Sequence, residues 1–195
     1  MTTRTLLCAL SILLASGCAT EKSHSPPPNL TASHFKQTAT VTPLDADSHA
    51  KLSTEKGYEE PYTGPGDFTA RYLIASVDRK TGRAGYALSF MDVTHKPRVQ
   101  AQVSYESPEG WMETAVKVEN GPRKCTDGDC WNLESVSIPL KESLLKTYAQ
   151  RYQPNAGLSW HFKIAPNLQG EIPLAEIAGL LERVDDYRAT LQIER

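Results

Sequence analysis

The stretch Phe68–Val93, FTARYLIASVDRKTGRAGYALSFMDV, decides the fold class. Phe68–Val77 is rich in β-branched and aromatic residues and predicts a strand. Asp78–Arg83 (DRKTGR) is polar, contains a glycine and predicts a turn. Gly85–Val93 is the returning strand, with Tyr86, Leu88 and Phe90 on one face at period two. Downstream, Val99–Tyr105 and Met112–Val118 repeat the pattern across Ser107-Pro108-Glu109-Gly110, and Leu158–Ala165 (LSWHFKIA) alternates again. Upstream, Thr38–Thr42 (TATVT) suits a strand, and residues 57–66 (GYEEPYTGPG) form a loop. Several short strands with turn signals between them predict an antiparallel β-sheet or a sandwich-like meander.

The last third changes period. Leu140–Tyr152 places Leu140, Leu144, Leu145, Tyr148 and Tyr152 at helical spacing. Leu174–Tyr187 carries the stripe Leu174, Ile177, Leu181 and Val184, with Arg183, Asp185 and Asp186 nearer water. Pro173 suits the first helical position, where its missing N–H has no partner to lose. Residues 189–193 suit a short final strand. The expected class is therefore α+β, an antiparallel sheet with two helices in the C-terminal third. Ile138-Pro139-Leu140-Lys141-Glu142 recurs as Ile172-Pro173-Leu174-Ala175-Glu176. Each copy passes from an extended stretch through proline into a helix; proline's fitness at helix starts accounts for this, the alternative being a duplicated strand–helix unit.

Of 195 residues, 39% are hydrophobic and 23% charged, which is ordinary for a globular chain. The formal charge of −2 offers no basic excess, so nucleic acid is set aside as a partner. Arg4 is followed by the apolar run Leu6–Ala15 (LLCALSILLA). That run falls well short of the roughly 20 apolar residues needed to span a bilayer and matches a signal-peptide core. Ala15, Ser16 and Gly17 then precede Cys18.

This arrangement resembles the lipobox of bacterial lipoproteins, with Ala15 standing where leucine is commonest. The resemblance covers the first 18 residues or so. It implies cleavage before Cys18, a diacylglycerol thioether on Cys18 and acylation of the new amino group. Ala19, in place of aspartate, implies sorting to the outer membrane. Residues 1–17 are thus expected to be a signal peptide, and residues 18–34 a lipidated cysteine with a proline-containing tether. A single globular domain is expected over residues 35–195, facing the periplasm.

Cys8 leaves with the signal peptide and lipidation uses Cys18, which leaves Cys125 and Cys130. Between them Asp127-Gly128 is a strong type I′ hairpin signal. The turn puts the two cysteines directly opposite one another, within disulfide reach. A structural disulfide across a hairpin is expected, since export favours oxidation. A redox pair would more usually be Cys-x-x-Cys, and zinc needs two further ligands that are not nearby. The calcium loop with its terminal glutamate is absent, and turn chemistry accounts for Asp127 and Asp129.

No two histidines stand at metal-ligand spacing, and His161 reads as a packed or half-exposed strand residue. No serine-hydrolase, zincin or phosphate-loop motif occurs. Glu59-Glu60 and Asp185-Asp186 read as solvated surface, and Trp111, Trp131 and Trp160 as core, the alternative being the lining of a sugar or peptide groove. No metal, cofactor or catalytic residue is expected. The reading is a non-catalytic envelope module, anchored by lipid, that binds an envelope protein or the cell wall. The alternative is an envelope hydrolase or thiol-redox protein.

Overall fold

A computed structural model describes residues 30–44, 48–58, 70–126, 128–164 and 168–191. The expected signal peptide, Cys18 and most of the expected tether lie outside these residues. The chain runs α1 (Ala32–Thr38), β1 (Thr40–Pro43), β2 (His49–Ser53), a 3₁₀ turn (Glu55–Gly57), β3 (Ala70–Asp78) and β4 (Ala84–Thr94). It continues with β5 (Gln100–Ser107), β6 (Gly110–Thr126), β7 (Asp129–Leu140), α2 (Glu142–Ala149), β8 (Ser159–Ile164), β9 (Leu168–Pro173) and α3 (Leu174–Thr190).

The nine described strands form one antiparallel sheet in the order β1-β2-β3-β4-β7-β6-β5-β8-β9. The sheet curls into a half-barrel. The β3–β4 hairpin folds as expected from its sequence, with Leu73 opposite Leu88 and Tyr72 opposite Ser89. Period-two alternation sends Leu73, Leu88, Phe90, Val103, Val136 and Ile138 to the core. Trp160, Phe162 and Ile164 of β8 join them there.

α3 closes the core. Leu174 through Leu181 are all buried, as is Val184. A helix buried on nearly every side of its first two turns needs neighbours beyond the sheet, and α1 and α2 supply them. Arg188 near its C-terminus donates to Gly82 O (2.9 Å) in the β3–β4 turn and to both Glu142 oxygens (3.3 Å each) on α2.

α1 was not foreshadowed by periodicity, and it includes Ala32–His34, which the sequence reading places in the tether. Seven residues cannot sustain a helix alone. Thr31 caps this one, its hydroxyl accepting from His34 N at 3.2 Å. Phe35, wholly buried, anchors it. The slot for Phe35 exists because two neighbours lack side chains. A Cβ on Gly57 would lie 2.5 Å from the Phe35 ring, and one on Gly179 would lie 2.5 Å from Ala32 O and 2.8 Å from Phe35 Cβ.

Other boundaries shift for tertiary reasons. Leu140 ends β7 opposite Tyr86 rather than opening a helix. Tyr152 lies beyond α2, where its hydroxyl accepts from Ala32 N at 3.2 Å. β9 adds an unexpected edge strand along β8. Ala189 and Thr190 belong to α3, not to a final strand, and residues 192–195 lie outside the described set.

Gly179→Ala tests the α1–α3 contact. Alanine is favoured over glycine in a helix by ~1 kcal/mol, yet overpacking here costs more. A net loss of about 1–2 kcal/mol is expected in urea unfolding. A stabilised variant would show that α1 does not cross α3 this closely.

Candidate functional site

β6 and β7 build the hairpin that carries the cysteine pair. Thr126 faces Asp129, and Cys125 faces Cys130 with Cα atoms 4.1 Å apart and the sulfurs bonded. Gly128 has a φ of +84°, and Asp127 lies outside the described residues. Outward from Arg123 and Asn132 the two strands pair only with each other, since β4 stops at Thr94 opposite Asn132. Such a two-stranded ribbon is marginal without a staple. Trp131 is half-buried, and alternation along β7 puts it on the face opposite the disulfide.

The histidines stay apart. His161 is exposed and lies between Glu106 (3.2 Å) and Glu171 (3.5 Å). His49 lies 3.9 Å from Asp78, and His95 lies 3.6 Å from Asp129. Among the described residues no group of three or more His, Cys, Asp or Glu side chains is arranged to hold a metal ion. Glu59 and Glu60 lie outside the described residues. Asp185 and Asp186 are exposed, paired with Arg188 (3.1 Å) and Lys36 (3.0 Å).

The acids that matter most for chemistry are three that sequence reasoning did not single out. Asp92 and Glu134 face each other across β4 and β7, and both are buried. Arg98 lies over the pair, with Nη2 2.5 Å from Asp92 Oδ2 and Nε 2.7 Å from Glu134 Oε2. Glu134 Oε1 also accepts from Thr94 Oγ1 and Arg98 N, both at 2.8 Å, and Asp92 Oδ1 accepts from Val93 N at 2.8 Å. Every carboxylate oxygen is engaged, so the pair ties the β4–β5 connection to the sheet. Glu176, in the first turn of α3, is wholly buried. It bonds Thr54 Oγ1, the Tyr58 hydroxyl and Leu73 N, the last at 2.9 Å. Burial pushes its carboxyl up to about 7, against the opposing pull of those hydrogen bonds and of Arg71.

At the β5–β6 turn the surface is different. Trp111, Met112 and Leu158 are 45%, 43% and 47% exposed at this end of the half-barrel, with Trp111 on the outer face of the sheet and Met112, opposite Tyr105, on the inner face. On the inner face, beside Met112, aromatic rings are packed together. Trp160, fully buried, packs against Tyr105 and Tyr148 with ring centroids 5.9 and 6.3 Å away, and donates from Nε1 to Glu106 O at 2.8 Å. Lys163 Nζ sits 4.3 Å from the Trp111 ring centroid. Of the three tryptophans expected in the core, Trp160 is there and Trp111 is on the surface.

Arg98→Ala leaves two facing buried carboxylates uncompensated, and a loss of about 3 kcal/mol is expected. An unchanged denaturation midpoint would rule the clamp out as a stabilising element.

No protein-family model, no curated protein and no solved structure matches this chain.

Proposed function

We propose that this chain is a non-catalytic binding module, held at the periplasmic face of the outer membrane by lipid on Cys18, that docks an envelope protein through the β5–β6 end of its half-barrel. The observation that carries the reading is the exposure of three large apolar side chains at this end, Trp111 on the outer face of the sheet and Met112 and Leu158 beside the packed rings of Tyr105 and Trp160 on the inner face. Tryptophan is prominent among residues that dominate interface energies, and methionine adapts to a partner's contour. Glu106, Glu109 and Lys163 nearby provide a polar rim of both signs. That composition favours a protein surface over a strongly charged polymer.

The same geometry weighs against the hydrolase alternative. Asp92 and Glu134 face one another, but Arg98 occupies the space between them that a substrate would need. For the thiol-redox alternative, Cys125 and Cys130 lie across a hairpin, not at a helix start where the dipole would favour a thiolate.

Two measurements test the reading. The natively lipidated protein is cross-linked in its own membrane and what accompanies it is identified. A specific protein partner is expected, lost with Cys18→Ala and weakened at least tenfold by Trp111→Ala with Met112→Ser. An empty capture with the protein confirmed at the membrane would sink the proposal. Free-thiol titration of the folded protein under mild reductant is expected to find no thiol from Cys125 and Cys130. Ready, reversible reduction would move the assignment to the redox reading.

A further inference from the structure

Glu176 stands at the junction of four elements. It belongs to α3, and its partners come from β3 (Leu73), the residue after β2 (Thr54) and the residue after the 3₁₀ turn (Tyr58). The 3₁₀ turn in turn holds α1. His34 Nε2 lies 3.2 Å from Gly57 O, and the rings of Phe35 and Tyr58 lie 5.3 Å apart. Glu176 therefore fastens, through Tyr58 and Thr54, the short segment on which α1 rests.

The hydrogen bonds around Thr54 can serve either form of the acid, and burial is what favours the neutral one. Thr54 Oγ1 has one proton and two acceptors in reach, Leu73 O at 3.2 Å and Glu176 Oε1. It also accepts from Leu73 N at 2.9 Å. When Glu176 is protonated, its own O–H donates to Thr54 and the threonine proton goes to Leu73 O. When Glu176 is ionised, Thr54 turns its hydroxyl proton to the carboxylate, and Leu73 O keeps the Thr54 N–H at 3.1 Å. A wholly buried carboxylate also carries a desolvation cost that exposure to water removes.

We propose that Glu176 is a pH-operated latch, which as a neutral acid locks the 3₁₀ turn and α1 onto α3 and as a carboxylate loosens both, freeing the first described segment of the domain. Among the described residues, the charged and titratable groups acting on Glu176 are Arg71 from β3 and Tyr58 beyond the 3₁₀ turn. From α1, His34 is directed to Gly57 O, and Lys36 to Asp186 and Glu182. Glu142 of α2 is engaged by Arg188 at the far end of α3.

The sign follows from linkage. The closed state holds the proton up to about pH 7, whereas an exposed glutamate releases it near 4.5. Opening therefore binds fewer protons and becomes easier as pH rises between those values, then levels off.

Amide hydrogen exchange of the full chain, corrected for intrinsic rate, tests this at pH 5.5 and 8.5. Protection of residues 32–38 and 54–58 is expected to fall at least tenfold at the higher pH, while β4 and β7 keep theirs. Glu176→Gln should hold the low-pH protection at both values. Tyr58→Phe removes a donor that favours the carboxylate, keeps the acid, and should move the transition to higher pH. Equal wild-type protection at both pH values would overturn the latch. So would a Glu176→Gln protein that loosens as the wild type does, or, should that variant not fold, a Tyr58→Phe protein whose transition stays in place.

Discussion

The structure depends on covering the concave face of one strongly curled sheet. Leu73, Leu88, Phe90, Val136, Ile138 and Phe162 all point to that face, and burying them is the main favourable term available to the chain. α3 is the element that covers it. A helix seated so deeply has no polar side left over for its first two turns, which explains Ala175, Ala178 and Gly179 between its larger residues. The small side chains let neighbours approach, and Phe35 of α1 enters through that gap. The helix layer is thus a consequence of the curl: once α3 is sunk into the half-barrel, its outer side needs α1 and α2.

The two ends of the half-barrel are finished in opposite ways. At the end where β4 runs into Arg98, the inward alternation reaches Asp92 and Glu134, and charge closes the core. Arg98 and its backbone N–H satisfy these acids, and Asn120 Nδ2 donates to Arg98 O at 2.9 Å to hold the covering segment. Breaking such a clamp is expensive, although an apolar plug would stabilise as well. At the other end Trp111 and Met112, near the start of β6, are both exposed, Met112 on the inner face with the rings of Tyr105, Trp160 and Tyr148 and Trp111 on the outer face. The two ends therefore differ, one sealed with ions and the other leaving tryptophan and methionine exposed, and that asymmetry is what the docking proposal rests on.

Much of this was legible where local pattern and tertiary role agree. The β3–β4 hairpin, the cysteine hairpin with its register and the long C-terminal helix follow from alternation, from Asp-Gly and from the 3.6 period. Asp92 was legible too, because it continues the Tyr86–Leu88–Phe90 face by two residues. Trp111 shares parity with the exposed Glu113 and Lys117, so alternation sets it apart from Trp160, which shares parity with Phe162 and Ile164. α1 was not legible, since its only large buried side chain is Phe35 and its stability comes from a slot formed 22 and 144 residues away. Nor was the role of Glu176. A glutamate in a helix's first turn ordinarily faces water and complements the dipole, and only the curl of the sheet turns this one inward.

The repeated Ile-Pro-Leu-x-Glu segments gain a physical meaning from that placement. Both mark a strand that passes into a helix, β7 into α2 and β9 into α3, with Pro173 at the cap of α3. Both glutamates fall in a first helical turn, and both act on α3 at opposite ends. Glu142 takes Arg188 near the C-terminus through two exposed or half-buried contacts, and that guanidinium holds its carboxyl below the usual range. Glu176 holds the N-terminus from within, where burial drives its carboxyl the other way. One motif thus supplies a permanent ionic tie at the end nearest water and a protonation-dependent tie at the end nearest the core. The local sequence around the two acids is nearly the same, so the difference lies in their surroundings: Glu142 meets the cations Arg188 and Lys146 at the surface, whereas Glu176 is buried among neutral donors.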